Sequence, residues 1–314
     1  MTGRLTLPYL QWAYGYGALM RLMICLGHYG SCIALLGVTL NVAYGYLLIS
    51  RGNALMRKVG EVHILDTLMG FLMYIAAVLM MSNEDRLIGI VLGGLNLKVG
   101  YVTHSVDELQ CSVVYPYHCV TVKLTTSEPI INPGAASLVF GNMANALIRS
   151  MTQLYVAEVT LTLLPFVSPV GYYLNDISRY FTWQAEWALM NTYMLYYLSI
   201  ISSYASQLAA LGASLIPIRQ VRWVGGLLFS LGLVTPIYVV AMANWLASQN
   251  LTASINPSLI NDIKGILSLG TNLFNLGGRL EEFNVVTDVS MAIYSSILYG
   301  LSRVLGGLGL SVDV

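Results

Sequence analysis

The chain has 314 residues, 56% of them hydrophobic and only 10% charged, with a formal net charge of zero. Soluble domains carry about a quarter charged residues, and a water-soluble globule cannot hide long continuous apolar runs, so a soluble fold is excluded. With 15 basic and 15 acidic residues, no general attraction to nucleic acid or to anionic lipid is implied.

The opening MTGRLTLPYLQWAYGYG has a weakly basic flank, and no small-residue cleavage site follows a short apolar core. The N-terminus therefore reads as retained. A first apolar segment covers residues 18–49, its cleaner membrane core being Gly30 to Ile49. Cys25 and Cys32 share a helical face but lie two turns apart, too far to bond, and read as small buried hydrophobes. A basic turn with Arg51, Arg57 and Lys58 leads to a second segment, Val62 to Met81. Its His63 and Asp66 read as first-turn residues, where the helix dipole favours an acid.

Residues 82–133 read as an extramembrane loop, because Glu84, Asp85, Arg86, Lys98, Asp107, Glu108, Lys123 and Glu128 fall there. Within it, 107–126 has the alternation of a β-hairpin centred on Tyr115-Pro116. Cys111 and Cys119 lie symmetrically about Tyr115, so paired strands bring them opposite one another at a separation a disulfide can bridge. The other reading is two unpaired thiols. A disulfide places the loop on an oxidising exterior.

A helix is predicted over 134–171, bounded by Pro133 and by Pro165 and Pro169. Asn142, Asn145, Arg149, Thr152 and Gln153 recur at three- and four-residue steps and make one stripe, with Glu158 opposite. Such a helix lines a wet cavity, packs its polar stripe on other protein, or lies along the interface. An Arg inside a membrane is a functional candidate by default. The next segment, 183–216, opens with Trp183, Glu186 and Trp187 and continues with Tyr193, Tyr196, Tyr197 and Tyr204. Ser202, Ser206, Ala210 and Ser214 recur every four residues and read as a helix-packing seam. Residues 220–248 form the next membrane run, completing core helices over 134–247. Asn250-Leu251-Thr252 has the form of a glycosylation sequon. Residues 249–287 read as an amphipathic, turn-rich extramembrane segment, and the last apolar segment runs over 288–310.

The fold expected is a single all-α polytopic membrane domain of about five to six transmembrane helices, with a small extracellular β-hairpin. Cytoplasmic loops are enriched in Lys and Arg. If 134–171 crosses the bilayer, Arg219 and Arg222 fall outside and Asn250 inside. If it is re-entrant or interfacial, Arg51, Arg57, Lys58, Arg219 and Arg222 are all cytoplasmic anchors, while the hairpin and Asn250 are outside. This favours five full crossings in the cell membrane, N-terminus outside and C-terminus cytoplasmic.

Chemistry-bearing patterns are missing. No Gly-Lys-Ser/Thr phosphate loop and no dinucleotide fingerprint occurs. His104 and His118 lie near Cys111 and Cys119, but the spacing is not that of a zinc module. No enzyme activity, cofactor or metal is expected.

LLPFVSPVGYYL at 163–174 and LIPIRQVRWVGGLLFSLGLVTPIYVV at 215–240 resemble the CedA family, the polytopic membrane protein of the crenarchaeal DNA-import system. That family is itself similar to the TrbL-type inner-membrane subunit of conjugative type IV secretion machines. The resemblance covers residues 134 to 247 and rests on Pro217, Arg219, Arg222, Gly225, Gly226 and Pro236. It implies a non-enzymatic subunit of a transmembrane DNA conduit or its platform, in a hetero-oligomer with small membrane subunits and a separate ATPase. Asn142, Asn145, Arg149 and Gln153 are then candidate conduit-lining residues for single-stranded DNA. Two alternatives stand beside it: a small-solute channel or transporter, and a structural membrane subunit of a larger respiratory or viral assembly.

Overall fold

A computed structural model describes residues 30–50, 53–111, 119–163, 168–249 and 263–306. In chain order they form α1 (Gly30–Ser50), α2 (Ala54–Met81), α3 (Glu84–Gly94), β1 (Tyr101–Cys111), β2 (Cys119–Pro129), α4 (Pro133–Leu163), α5 (Ser168–Ser202), α6 (Ala205–Leu215), α7 (Arg222–Ser248) and α8 (Ile263–Leu305). The molecule is mostly helical. Among the described residues, four helical stretches are long and apolar enough to cross a membrane: Ile33–Ser50, Ala54–Met81, Arg222–Ser248 and Leu273–Leu305. Ser178–Ser202 with Ala205–Leu215 makes a fifth if this interrupted pair is one span. The 31-residue α4 has the length but does not join this set, because the polar stripe runs through its middle.

Several boundaries differ from expectation. Asn53 caps α2, its side chain accepting from Leu55 N at 3.4 Å, so α2 starts eight residues before Val62. The hairpin is also longer than 107–126: eleven antiparallel pairs run from Tyr101↔Pro129 to Cys111↔Cys119. Helix α5 begins at Ser168, well before Trp183, with Pro169 in its first turn, where a missing N–H costs nothing. The stretch read as turn-rich is helical from Ile263, and α8 continues unbroken for 43 residues to Leu305. One of its glycines is a packing position: a Cβ on Gly277 would lie 2.7 Å from the Tyr180 ring.

The chain divides into two compact units. One comprises residues 1–86, 204–235 and 294–314. In it α1 and α2 touch backbone to backbone, a Cβ on Gly60 falling 2.6 Å from the Gly45 carbonyl oxygen. Helices α6 and α7 meet as closely, a Cβ on Gly212 falling 2.2 Å from Phe229 N. Helix α6 packs through Ala205, Ala209, Gly212 and Ala213, while Ser206 is exposed. The expected four-residue seam is thus broken, because the helix stops at Ser202 and restarts only at Ala205.

The other unit comprises residues 87–203 and 236–293. Phe140, Met143 and Leu147 of α4, Phe181, Ala188 and Leu195 of α5, Val239 and Leu246 of α7, and Leu280 and Phe283 of α8 form its core. Asn132 starts α4, its Oδ1 accepting from Ala135 N at 2.7 Å, with Pro133 at the first helical position. The hairpin is fastened at its base. Asn244 Oδ1 accepts from Gly100 N and Asn244 Nδ2 donates to Ile130 O, both at 2.7 Å, and Ile130 N donates to Gly100 O at 2.9 Å.

Candidate functional site

An ionic cluster joins α2 to the turn between α6 and α7. Arg222, the first residue of α7, is only 6% exposed. All its guanidinium nitrogens are engaged. Nη1 meets Asp66 Oδ1 at 2.6 Å, Nη2 the Asp66 carbonyl at 3.0 Å, and Nε the Ile216 carbonyl at 2.8 Å. Asp66 lies thirteen positions into α2, not in its first turn, so the dipole does not account for it. Arg222 does: a carboxylate in an apolar helix needs a paired, hydrogen-bonded cation. Gly70, one turn on, makes room, since a Cβ there would fall 2.7 Å from Arg222 Nη2.

Arg219 lies on the open side of this pair. Its Nε is 3.8 Å from Asp66 Oδ2 and its Nη1 3.4 Å from His63 Nδ1. His63 is buried, takes the Tyr44 ring edge-on at 5.4 Å, and has no hydrogen-bond partner for Nε2 among the described residues. Two arginines thus face one carboxylate, and the cluster carries a surplus positive charge.

The second unit holds a polar ladder between α5 and α8. Asn284 Nδ2 donates to Gln184 O at 3.1 Å and to Gln184 Oε1 at 3.0 Å. Asn191 Nδ2 approaches Asn284 Oδ1 at 3.3 Å and Asp288 Oδ1 at 3.4 Å. Glu158 of α4 accepts from Ser178 of α5. The conduit-lining candidates lie elsewhere. Asn142, Asn145, Arg149 and Gln153 share one face of α4, as their spacing predicts, and all four are exposed. That face is opposite Phe140, Met143 and Leu147, which enter the core.

No family model, curated protein or solved structure matches the chain. Its function must therefore be argued from its own residues.

Of the paired basic candidates, Arg219 is exposed and Arg222 is the buried partner of Asp66. Cys111 and Cys119 are register partners at the end of the ladder; their side chains lie outside the described residues, as does Asn250. Among the described residues, no group of three His, Cys, Asp or Glu side chains is placed to hold a metal ion. Sequence reasoning misses the Asp66–Arg222 pair and the Gln184–Asn284 ladder. Asn53 is the available signal for the first, because a cap there pushes Asp66 beyond the third turn. For the second, the signal is the placement of amides inside helices with apolar faces.

Proposed function

We propose that the chain is a non-enzymatic, multi-pass membrane subunit of a DNA-import or type IV secretion-like translocation machine, forming part of a transmembrane DNA conduit or its platform. The observation that carries this reading is the α4 stripe. Asn142, Asn145, Arg149 and Gln153 point away from the chain's own core, beside helices apolar enough to cross a bilayer. A charged side chain facing lipid at the bilayer centre costs about 2.5–3.5 kcal/mol or more, so the stripe calls for a wet path or another subunit. Amides along a path and an Arg for phosphate suit single-stranded DNA. With a net charge of zero, the basic surface such a path needs comes from partners: small membrane subunits and a separate ATPase in a hetero-oligomer. The specific cargo rests on the CedA-like pattern around Pro217, Arg219 and Pro236.

The topology that goes with this reading has α4 re-entrant, dipping into the bilayer without crossing it. The hairpin and Asn250 are then extracellular, with Cys111 bonded to Cys119, and Arg219 lies on the cytoplasmic side with the C-terminus. The composition of α4 supports it, since α4 is long but not in the set of candidate spans. Labelling of exposed positions tests it: Asn175→Cys should react from outside intact cells and Gln220→Cys only after permeabilisation. The functional test is DNA uptake in a strain lacking this protein, where normal uptake rules the reading out.

One observation favours a second reading, a structural subunit of a larger respiratory or viral assembly. The buried polar groups of the Asp66–Arg222 pair and the Gln184–Asn284 ladder largely satisfy one another inside the chain, as a scaffold requires. Under that reading the α4 stripe docks protein and DNA uptake is unaffected by deletion.

A further inference from the structure

We infer that His63 and Arg219 form a proton-sensitive latch that holds the turn between α6 and α7 against α1 and α2. The contact dictates the protonation state. A guanidinium has only donors, so His63 Nδ1, 3.4 Å from Arg219 Nη1, must present a lone pair. The ring is neutral, with its hydrogen on Nε2, and that N–H is buried without a partner among the described residues. A buried donor without a partner is destabilising.

A proton taken from solvent by Nδ1 removes the lone pair and sets an imidazolium against a guanidinium. The groups facing His63 decide the outcome. From its own helix there is Asp66; from the α6–α7 turn, Arg219; from α7, Arg222; and from α1, the ring of Tyr44. Helix α6 carries no titratable side chain. Asp66 is three positions from His63 on one helix, a spacing at which side chains meet. Its Oδ1 is committed to Arg222 at 2.6 Å, whereas its Oδ2 holds Arg219 only loosely at 3.8 Å. The imidazolium therefore takes Oδ2 and Arg219 is expelled. Half of the Arg219 side chain is already exposed, so it has a solvated place to go, while Arg222 keeps its carbonyl contacts and stays.

The turn that Arg219 releases carries Ile218, whose side chain rests on Gly37 of α1: a Cβ on Gly37 would fall 2.5 Å from Ile218 Cγ1. Protonation thus loosens the Ile218–Arg219 part of the turn from the α1–α2 pair, while Arg222 still ties the start of α7 to Asp66. No covalent step is involved; one proton is gained and one ionic contact is exchanged.

The test is thiol accessibility on the full chain in detergent, in a background with the native cysteines replaced by Ser. The labelling rate of Ile218→Cys is divided by that of the exposed neighbour Gln220→Cys at each pH, which removes the intrinsic pH dependence of the thiol. Between about pH 8 and about pH 5, a range spanning ordinary imidazole titration, the ratio should rise several-fold. In His63→Gln, whose side-chain oxygen still accepts from Arg219 but does not titrate, the ratio should stay low and flat. A flat ratio with His63 present, or an equal rise in His63→Gln, overturns the latch. If Ile218→Cys does not fold, thermal unfolding decides. Acidification should lower the Tm of the wild-type chain more than that of His63→Gln, and parallel Tm profiles overturn the proposal.

Discussion

The side chain of Asn244, near the end of α7, grips Gly100 N with its oxygen and Ile130 O with its nitrogen, each at 2.7 Å. One amide therefore closes the base of an eleven-pair hairpin. A two-stranded hairpin alone is marginal in water, so its position depends on this clasp and on Val102 and Ile130, which are buried in the core of their unit. Asn244→Ala should leave a backbone donor and acceptor unmatched and cost about 2 kcal/mol or more. Proteolysis within 101–129 should accelerate, and Asn244→Asp, which keeps the acceptor, should fall between. Equal cleavage rates in all three chains would mean that the ladder holds itself.

Asp66 and Arg222 invite a double-mutant cycle. Removing one partner of a buried pair strands the other charge and costs about 3–5 kcal/mol. Asp66 is about a fifth exposed, so Arg222→Met should fall at the lower end of that range. Asp66→Leu should cost more, because it strands the far more deeply buried Arg222 guanidinium. The double variant should recover part of both losses, as apolar replacements of buried pairs often do. Thermal unfolding in detergent reads the cycle, and strict additivity of the two losses would show the pair to be uncoupled.

Long apolar runs make α1, α2 and α7 legible from residue order alone, because a bilayer-length hydrophobic stretch has few other uses. The centre of the hairpin is legible from the symmetry of Cys111 and Cys119 about Tyr115, and the face of α4 from its spacing. The hidden features depend on partners remote in sequence. Arg222 and Asp66 are 156 positions apart, and a carboxylate near a supposed helix start invites a local explanation. The glycines of α8 suggest turns, whereas Gly277 serves to let the Tyr180 ring approach. The break between α5 and α6 carries no Pro or Gly, so composition gives no warning of it.

Small residues at the α6–α7 contact make a sharp comparison. A Cβ on Gly212 would fall 2.2 Å from Phe229 N and 2.7 Å from the Gly225 carbonyl oxygen. Backbone cannot step aside as a side chain can, so Gly212→Ala should force the helices apart and cost more than the usual 1–3 kcal/mol of overpacking. Gly89 in α3 has nothing within 4 Å of the same added carbon, so Gly89→Ala should be neutral or gain up to about 1 kcal/mol of helix propensity. The yield of folded, monodisperse protein and its Tm measure both. Tolerance of Ala at position 212 would show that α6 is free to slide along α7.

Arg149 separates folding from function. Replacing it with an apolar residue removes a charge together with the cost of desolvating it, and on the isolated chain it is exposed and faces away from Phe140 and Met143. Arg149→Leu should therefore shift the stability of the purified chain by less than any buried substitution above, within about 0.5 kcal/mol. The effect should emerge only where the stripe meets something. If α4 borders a DNA path, uptake falls while co-purification of partner subunits is unchanged. If the stripe is a docking face, the partners are lost as well. A variant that unfolds alone, with wild-type protein stable under the same conditions, would place Arg149 in the architecture of α4 and withdraw it from the path.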